Sequence, residues 1–372
     1  MVAAHALQSP HKLKLGCFGL NVDNACAATK IDGVFQTSWA NVKTITAKAD
    51  RAGFDALVPV ARWRGFGGEI DFNGACYETF AWAAGLGEAT KTPALFSTCH
   101  VPTIHPIVAA KQGTTIDHIS GGRFALNIVT GWYEPELEMF GAPVMEHDER
   151  YVYADEWLQI LKLLWTREDE FDFEGKYFNI KRGYHKPKPI QQPFPPVMNA
   201  GGSQVGRHYA AKNCDMIFVH IKGEDIESAR SDIAEVRNLA RKEYGRDIQV
   251  WANTYCVLGD TDKEALDFRD FYVNEMGDWE AINNLVGGLG LTSQVLPPEM
   301  LEAAKYHFIA GFGGYPLVGT KDRIASEMKK LSDVGLDGAL LSWPRYDEGI
   351  TRFISDVMPL LEQQGLRLPA AH

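Results

Sequence analysis

The sequence predicts an α/β chain closed into a (β/α)8 (TIM) barrel, with insertions after the fourth and before the eighth strand. Three observations predict it. Short apolar runs of strand length alternate with longer stretches of 3.6-residue periodicity, the pattern of βαβ units on a parallel sheet. Eight such runs suit a closed barrel better than an open doubly wound sheet. The 372 residues are enough for one large barrel with insertions, so residues 1–372 read as one domain.

In chain order the strand-like runs are Leu13–Leu20, Ala56–Val60, Ala94–Cys99, Phe124–Val129, Val197–Ala200, Met216–His220, Gln249–Val257 and Gly338–Ser342. Helical periodicity marks Trp39–Ala52, Tyr77–Glu88, Pro106–Ile119, Ser203–Lys212, Ile226–Tyr244 and Lys321–Val334. The alternation breaks twice. Residues 132–196 hold a helix over about His147–Trp165, then a hairpin over Glu170–Asn179 that turns at Glu174-Gly175, then the proline-rich connector His185–Pro196. Residues 274–320 are glycine-rich and give no assignable element; they read as a flexible insertion, mobile over Leu285–Gln294.

Acids outnumber bases 48 to 37, a net charge of −11. That argues against a nucleic-acid binder and against an anionic-membrane surface protein. No run of about 18 apolar residues is present, so no transmembrane helix is expected. Met1–Leu13 lacks the apolar core of a signal peptide. The six cysteines are scattered without CxxC, which suits reduced thiols in a cytoplasmic protein. Neither His nor Cys shows zinc spacing, so no metal is expected.

In such a barrel the active site forms at the carboxyl ends of the strands. After the second run comes Arg62-Trp-Arg-Gly-Phe-Gly-Gly68, a flexible loop with two arginines and two rings. The third run ends in Thr98-Cys-His100. His100 suits acid/base work by its near-neutral reference pKa, and equally a structural hydrogen bond. Asn127 is a polar residue inside an apolar strand: either a satisfied core amide or a group awaiting a ligand. After the fifth run, Ala200-Gly201-Gly202-Ser203 opens a helix. It reads as a phosphate-binding turn or as a plain turn with a Ser cap. At His147–Tyr151 the chemistry alone favours a charged helix start, with Asp148 as cap and Arg150 paired to an acid.

Residues 109–132, Ala-Ala-Lys-Gln-Gly-Thr-Thr-Ile-Asp-His-Ile-Ser-Gly-Gly-Arg-Phe-Ala-Leu-Asn-Ile-Val-Thr-Gly-Trp, carry a more specific pattern. With His147-Asp-Glu-Arg-Tyr151, Glu174-Gly-Lys-Tyr177 and Ala200-Gly-Gly-Ser203, it resembles the bacterial luciferase-like flavin monooxygenases. Within that family it is similar to the FMN-dependent branch of pyrimidine, alkanesulfonate and dimethylsulfone monooxygenases. The loop Arg64–Gly68 resembles the pyrimidine enzymes in particular. The run after Thr98 is more polar than theirs, and residues 274–320 match no member.

The resemblance implies a two-component oxidoreductase. Reduced FMN (FMNH2) arrives from a separate NAD(P)H:flavin reductase, reacts with O2 through a flavin peroxide (at C4a or N5), and one oxygen atom enters a small organic substrate. It implies flavin contacts at Ala61, Arg62, Asn127 and Glu136, and phosphate contacts at Arg150, Tyr151, Gly201, Gly202 and Ser203. Thr98 and Asn127 would line the oxygen pocket, with His100 beside them. Candidate substrates are a heterocyclic amide or pyrimidine, a sulfonate or sulfone, or a halogenated aromatic. A deazaflavin-dependent hydride transfer and a non-catalytic flavin-binding barrel are the alternatives. A homo-oligomer is implied, paired on the second-strand to third-helix side.

Overall fold

The computed structural model describes residues 6–142, 144–221, 226–291 and 295–370. Eight parallel strands close a barrel: β1 (Lys14–Phe18), β2 (Ala56–Val58), β3 (Ala94–His100), β4 (Phe124–Val129), β7 (Val197–Asn199), β8 (Met216–Val219), β9 (Gln249–Leu258) and β11 (Gly338–Ser342). The wall runs β1-β2-β3-β4-β7-β8-β9-β11 and closes where β11 pairs β1. These are the eight apolar runs of the sequence. Helices α1 (Trp39–Arg51), α2 (Thr79–Ala89), α3 (Pro106–Ile119), α6 (Gln204–Asn213), α7 (Ile226–Tyr244) and α11 (Lys321–Asp333) lie between successive strands, and α12 (Tyr346–Arg352) and α13 (Met358–Gln363) follow the last. Side-chain caps begin several of them: Ser38 accepts from the Asn41 amide and Thr320 from the Arg323 amide.

The barrel interior is packed rather than hollow. Ala56, Val58, Ala94, Phe96, Ala125, Met198, Met216, Trp251 and Leu340 fill it. Two glycines make room for the large ones. A Cβ on Gly338 would lie 2.2 Å from the Trp251 ring, and one on Gly16 2.4 Å from Leu340.

The insertion after β4 contains α4 (Glu134–Met139), α5 (His147–Thr166) and the antiparallel hairpin β5 (Phe171–Glu174)–β6 (Asn179–Gly183). Glu156 of α5 fixes the hairpin turn by accepting from the Lys176 and Tyr177 amides at 2.8 and 2.9 Å. The connector that follows is pinned by Asp117 of the long sequence motif. Its carboxylate, buried on α3, accepts from the Ile190 and Gln191 amides and the Gln191 side chain. Arg123 of the same motif donates to the Gly87, Thr90 and Pro93 carbonyls. Much of the motif is therefore scaffold.

Residues 274–320 are more ordered than their glycine content suggests. After α8 (Asp262–Asp270) and a π-helical turn over Phe271–Glu275 come α9 (Trp279–Gly288), α10 (Pro298–Gly311) and a ninth strand, β10 (Tyr315–Gly319). Leu285 and Val286, expected to be mobile, are buried on α9. Residues 292–294 of that stretch lie outside the described residues. β10 pairs with the carboxyl half of β9 alone. Pro316 lacks a ladder donor and argues against a strand in sequence, yet an edge accommodates it. No described helix is long and apolar enough to cross a membrane.

At the amino ends of the strands, Arg367 closes the floor. Its guanidinium donates to Asp55 Oδ2 at 2.6 Å and to the Leu13 carbonyl, while Asp55 also accepts from the Leu15 amide, Ser9 and His11. Burial alone would raise the Asp55 carboxyl; the His11 bond and the Arg367 charge outweigh it and hold the group below its ordinary value. Arg367→Met, which strands a buried carboxylate, is expected to cost about 3–5 kcal/mol, read as a lower urea midpoint at unchanged slope. Because the folded pKa is depressed, the contribution is full above the unfolded carboxylate value. The gap between wild type and variant therefore narrows as pH falls through the folded value.

Candidate functional site

At the carboxyl end of the barrel, Thr98 of β3 and Asn127 of β4 are register partners. Each follows an interior residue by two, Phe96 and Ala125, so both face the barrel axis. Thr98 Oγ1 donates to the Pro59 carbonyl at 2.6 Å and accepts from Asn127 Nδ2 at 3.2 Å. Asn127 Oδ1 is buried and has no partner. Leaving such an acceptor unmade costs about 1–3 kcal/mol. Near this end of the barrel the rings of Phe18 and Phe218 have centroids 5.9 Å apart, and Phe312 lies 6.4 Å from Phe18.

Asn253 of β9 repeats the arrangement and was not singled out from the sequence. Its amide donates to the Gly311 and Phe312 carbonyls, holding the turn that presents Phe312, and its Oδ1 is also buried without a partner. The signal was available, since Asn253 interrupts an apolar run as Asn127 does.

Beside Thr98, the loop after β2 is fastened by one carboxylate. Glu136 of α4 is fully buried. Its Oε1 accepts from Arg62 Nη1 at 3.1 Å and from the Trp63 and Arg64 amides at 2.7 and 3.2 Å. Its Oε2 lies 3.3 Å from His100 Nδ1. Burial alone would raise this carboxyl; the contact from His100, the Arg62 charge and the Trp63 amide hold it below the ordinary value. The Arg62 guanidinium sits over Phe66, Trp132 and Tyr133 at 4.5, 5.3 and 5.5 Å from their ring centroids. Desolvation there pushes its pKa down, against the pull of Glu136. The structure thus joins Arg62, Glu136 and His100 in one buried cluster, with Ala61 buried next to it.

The expected phosphate residues divide. Ser203 caps α6 by accepting from the Gly206 amide at 3.1 Å, and Asn199 accepts from the Gly201 amide at 2.9 Å. Tyr151 reaches this turn from α5: a Cβ on Gly201 or Gly206 would lie 2.7 or 2.6 Å from its hydroxyl. The space around Gly202 is open. Tyr151, Gly201, Gly202 and Ser203 therefore form one cradle at a helix N-terminus. Arg150, next to Tyr151 on α5, donates from Nε to the Met145 carbonyl at 2.8 Å. The N-cap of α5 is Glu146 rather than Asp148, and Asp148 pairs with His147 instead.

Arg150 also lines a cleft of about 890 Å3 with Arg64, Phe66, Trp132, Glu134 and Asn284. The loop after β2 and α9 form its walls, tied by Asn284 Nδ2 donating to the Phe66 carbonyl at 2.8 Å. Asp278, the N-cap of α9, adds a bond from the Ile70 amide at 2.9 Å. Arg64 faces the cleft; Arg62, the other arginine of that loop, is held beneath it.

Comparison with known proteins places the chain in a family. The profile of the luciferase-like monooxygenase family matches residues 21–338. The pyrimidine monooxygenase RutA of Acinetobacter baylyi is 30% identical over 353 residues, covering 94% of this chain and 95% of that protein. The FMNH2-dependent dimethylsulfone monooxygenase of Pseudomonas putida is 28% identical, covering 92% and 93%. Among solved structures, a long-chain alkane monooxygenase superposes with a TM-score of 0.83 at 23% identity over 98% of this chain and 94% of that one, which shows the shared fold. A riboflavin lyase superposes with a TM-score of 0.85 at 21% identity over 97% and 93%. The chain belongs to the luciferase-like monooxygenase family and is a flavin-dependent monooxygenase.

Glu136→Ala would leave Arg62 as an unmatched buried cation. We expect it to destabilise the fold by about 3–5 kcal/mol in denaturant titration. Glu136→Gln, which keeps an oxygen for the three donors at Oε1, is expected to lose less.

Proposed function

We propose that this luciferase-like monooxygenase is the oxygenating component of a two-component system. A separate NAD(P)H:flavin reductase supplies its FMNH2, and its substrate is a small heterocycle of the amide or pyrimidine type. The observation that carries the reading is Asn127 Oδ1, an acceptor without a partner at the barrel mouth beside Thr98. It lies on the strand next to β7, whose end leads into the Gly201–Ser203 cradle. A flavin mononucleotide needs both features: a polar edge for its ring and an anion site for its phosphate. The residues present fit that group.

FMNH2, when bound, supplies two electrons that activate O2, so that one oxygen atom enters the substrate and the other leaves as water. The chain's own residues bind, orient and exclude water. The free amides at the start of α6, with Ser203 and the Tyr151 hydroxyl, hold the phosphate. Asn127 Oδ1 accepts a ring N–H, and its Nδ2 keeps Thr98 Oγ1 in place facing the pocket. The aromatic group of Phe18, Phe218 and Phe312 would help to keep bulk water from the bound ring.

The substrate class draws on the pyrimidine relatives named above. A second reading is favoured by Arg64 and Arg150, which both line the cleft: a substrate that carries a sulfonate or carboxylate. The monooxygenase relatives speak for oxygenation over the hydride-transfer and non-catalytic alternatives. Six free cysteines support a reducing, cytoplasmic setting. Ile107 and Val108, exposed on α3, support pairing of two copies there.

With NADH, a flavin reductase, FMN and candidate substrates, we expect O2 uptake above the reductase blank and one labelled oxygen from 18O2 in the product. No substrate-dependent uptake across pyrimidines, sulfones and sulfonates would refute the reading. Gly201→Ala places a methyl against Asn199 Oδ1, the Tyr151 hydroxyl and Gly206. It is expected to weaken FMN binding at least tenfold, roughly 1.4 kcal/mol, while riboflavin binding changes little. Fluorescence titration separates the two. Thr98→Val is expected to leave FMN bound and to lower product formed per O2 consumed on the order of a hundredfold.

A further inference from the structure

We propose that His100 is a catalytic residue of the oxygenation, carrying a proton through its Nε2, and that Glu136 is the positioning residue that sets its tautomer. The inference rests on the reading above and adds the group that moves the proton. The reaction S + O2 + FMNH2 → SO + H2O + FMN needs one. An O–O bond breaks and a substrate–oxygen bond forms. Four electrons reach oxygen, two from the flavin and two from the substrate. The atom not inserted leaves as water with the two protons the reduced flavin sheds. Thr98 and Asn127 can hold an oxygen species but do not titrate in the working range. His100 follows Thr98 by two on β3, so its ring faces the same interior side one level nearer the mouth.

The geometry around His100 is that of a histidine aimed by a carboxylate. The ring is buried, and Nδ1 lies 3.3 Å from Glu136 Oε2, an oxygen with no other partner. That separation is long for a hydrogen bond, and such contacts often tighten when ligand binds. Among the described residues, the charged group in contact with His100 is Glu136 of α4, which also holds Arg62 of the loop after β2; Cys76 and Tyr133 act on Arg62 in turn. Arg62 already matches the Glu136 charge, so the carboxylate acts on His100 as an acceptor for Nδ1–H. The proton on Nδ1 leaves Nε2 as the exchanging nitrogen. With FMNH2 bound, Nε2 would take up one of the two protons the reaction frees and deliver it to the departing oxygen.

The three donors on Glu136 Oε1 make the arrangement testable. In Glu136→Gln the side-chain oxygen must stay with Arg62, Trp63 N and Arg64 N, which places the amide NH2 against His100 Nδ1. The tautomer then inverts, with the proton on Nε2. In 15N-histidine NMR of the flavin-free protein, with His100 assigned by its absence in His100→Gln, we expect Nδ1–H in the wild type and Nε2–H in Glu136→Gln. The same tautomer in both would overturn the positioning role. In turnover, His100→Gln is expected to keep FMN affinity within about threefold. It should lower product per O2 roughly a hundredfold, release hydrogen peroxide instead, and flatten the pH dependence of coupling. Wild-type coupling in His100→Gln, or an unchanged pH profile, would overturn the catalytic role. Should His100→Gln fail to fold, His100→Asn carries the turnover arm, and the tautomer comparison stands between wild type and Glu136→Gln. A wild type that binds no FMN and takes up no O2 would instead sink the function above, an outcome the flavin-free NMR result does not share.

Discussion

The mouth of this barrel is organised by one buried negative charge. Glu136 is fully buried, so its charge has to be met by neighbouring groups of the chain. The donors come from three places far apart in sequence: the side chain of Arg62, the backbone of the loop that follows it, and His100 at the end of β3. Satisfying the carboxylate therefore fixes the loop after β2, the short helix α4 and the rim of β3 together. Such a pair contributes little net stability compared with apolar packing of the same volume. What it contributes is a single geometry, because any other arrangement of these elements strands a charge.

The rest of the fold divides by end. The floor is closed by a second buried ion pair, Arg367 with Asp55, that ties the chain's last described turn to β1 and β2. Between floor and mouth the interior is apolar and filled, with Gly16 and Gly338 placed where Leu340 and Trp251 need room. Polarity on interior faces is concentrated in the top layer. A sealed floor, a solid middle and a polar, aromatic-ringed top leave the carboxyl ends of the strands as the place where a ligand can meet the barrel.

Much of this was legible in sequence, for reasons that also explain what was not. A parallel strand buried on both faces writes itself as an apolar run, and all eight barrel strands were found that way. β10 was missed because Pro316 removes a donor and only one neighbour is present to pair. Residues 274–320 looked loose because glycine was read as mobility; on α9, Gly288 instead lets the helix end approach Tyr133, at 3.1 Å from an added Cβ. Thr98 and Asn127 could be picked out individually, but their shared bond follows only from register. Glu136 was placed at the flavin by resemblance. Its partnership with Arg62, 74 positions away, and with His100 is a tertiary fact that no local pattern encodes.

The unmade bonds at the mouth complete the physical picture. Asn127 gives its amide nitrogen to Thr98, Asn253 gives its own to two carbonyls, and each keeps an oxygen without a partner. Two buried acceptors left in this way cost about 1–3 kcal/mol each. A sequence selected for stability alone would replace them with apolar residues of similar size, as the neighbouring interior positions already are. Their retention makes sense if a ligand supplies the donors: binding at a hundred times Kd returns about 2.7 kcal/mol, an amount comparable with the loss. On the function proposed above, the cofactor supplies these missing donors, which would put binding and the last increment of folding at the same few atoms.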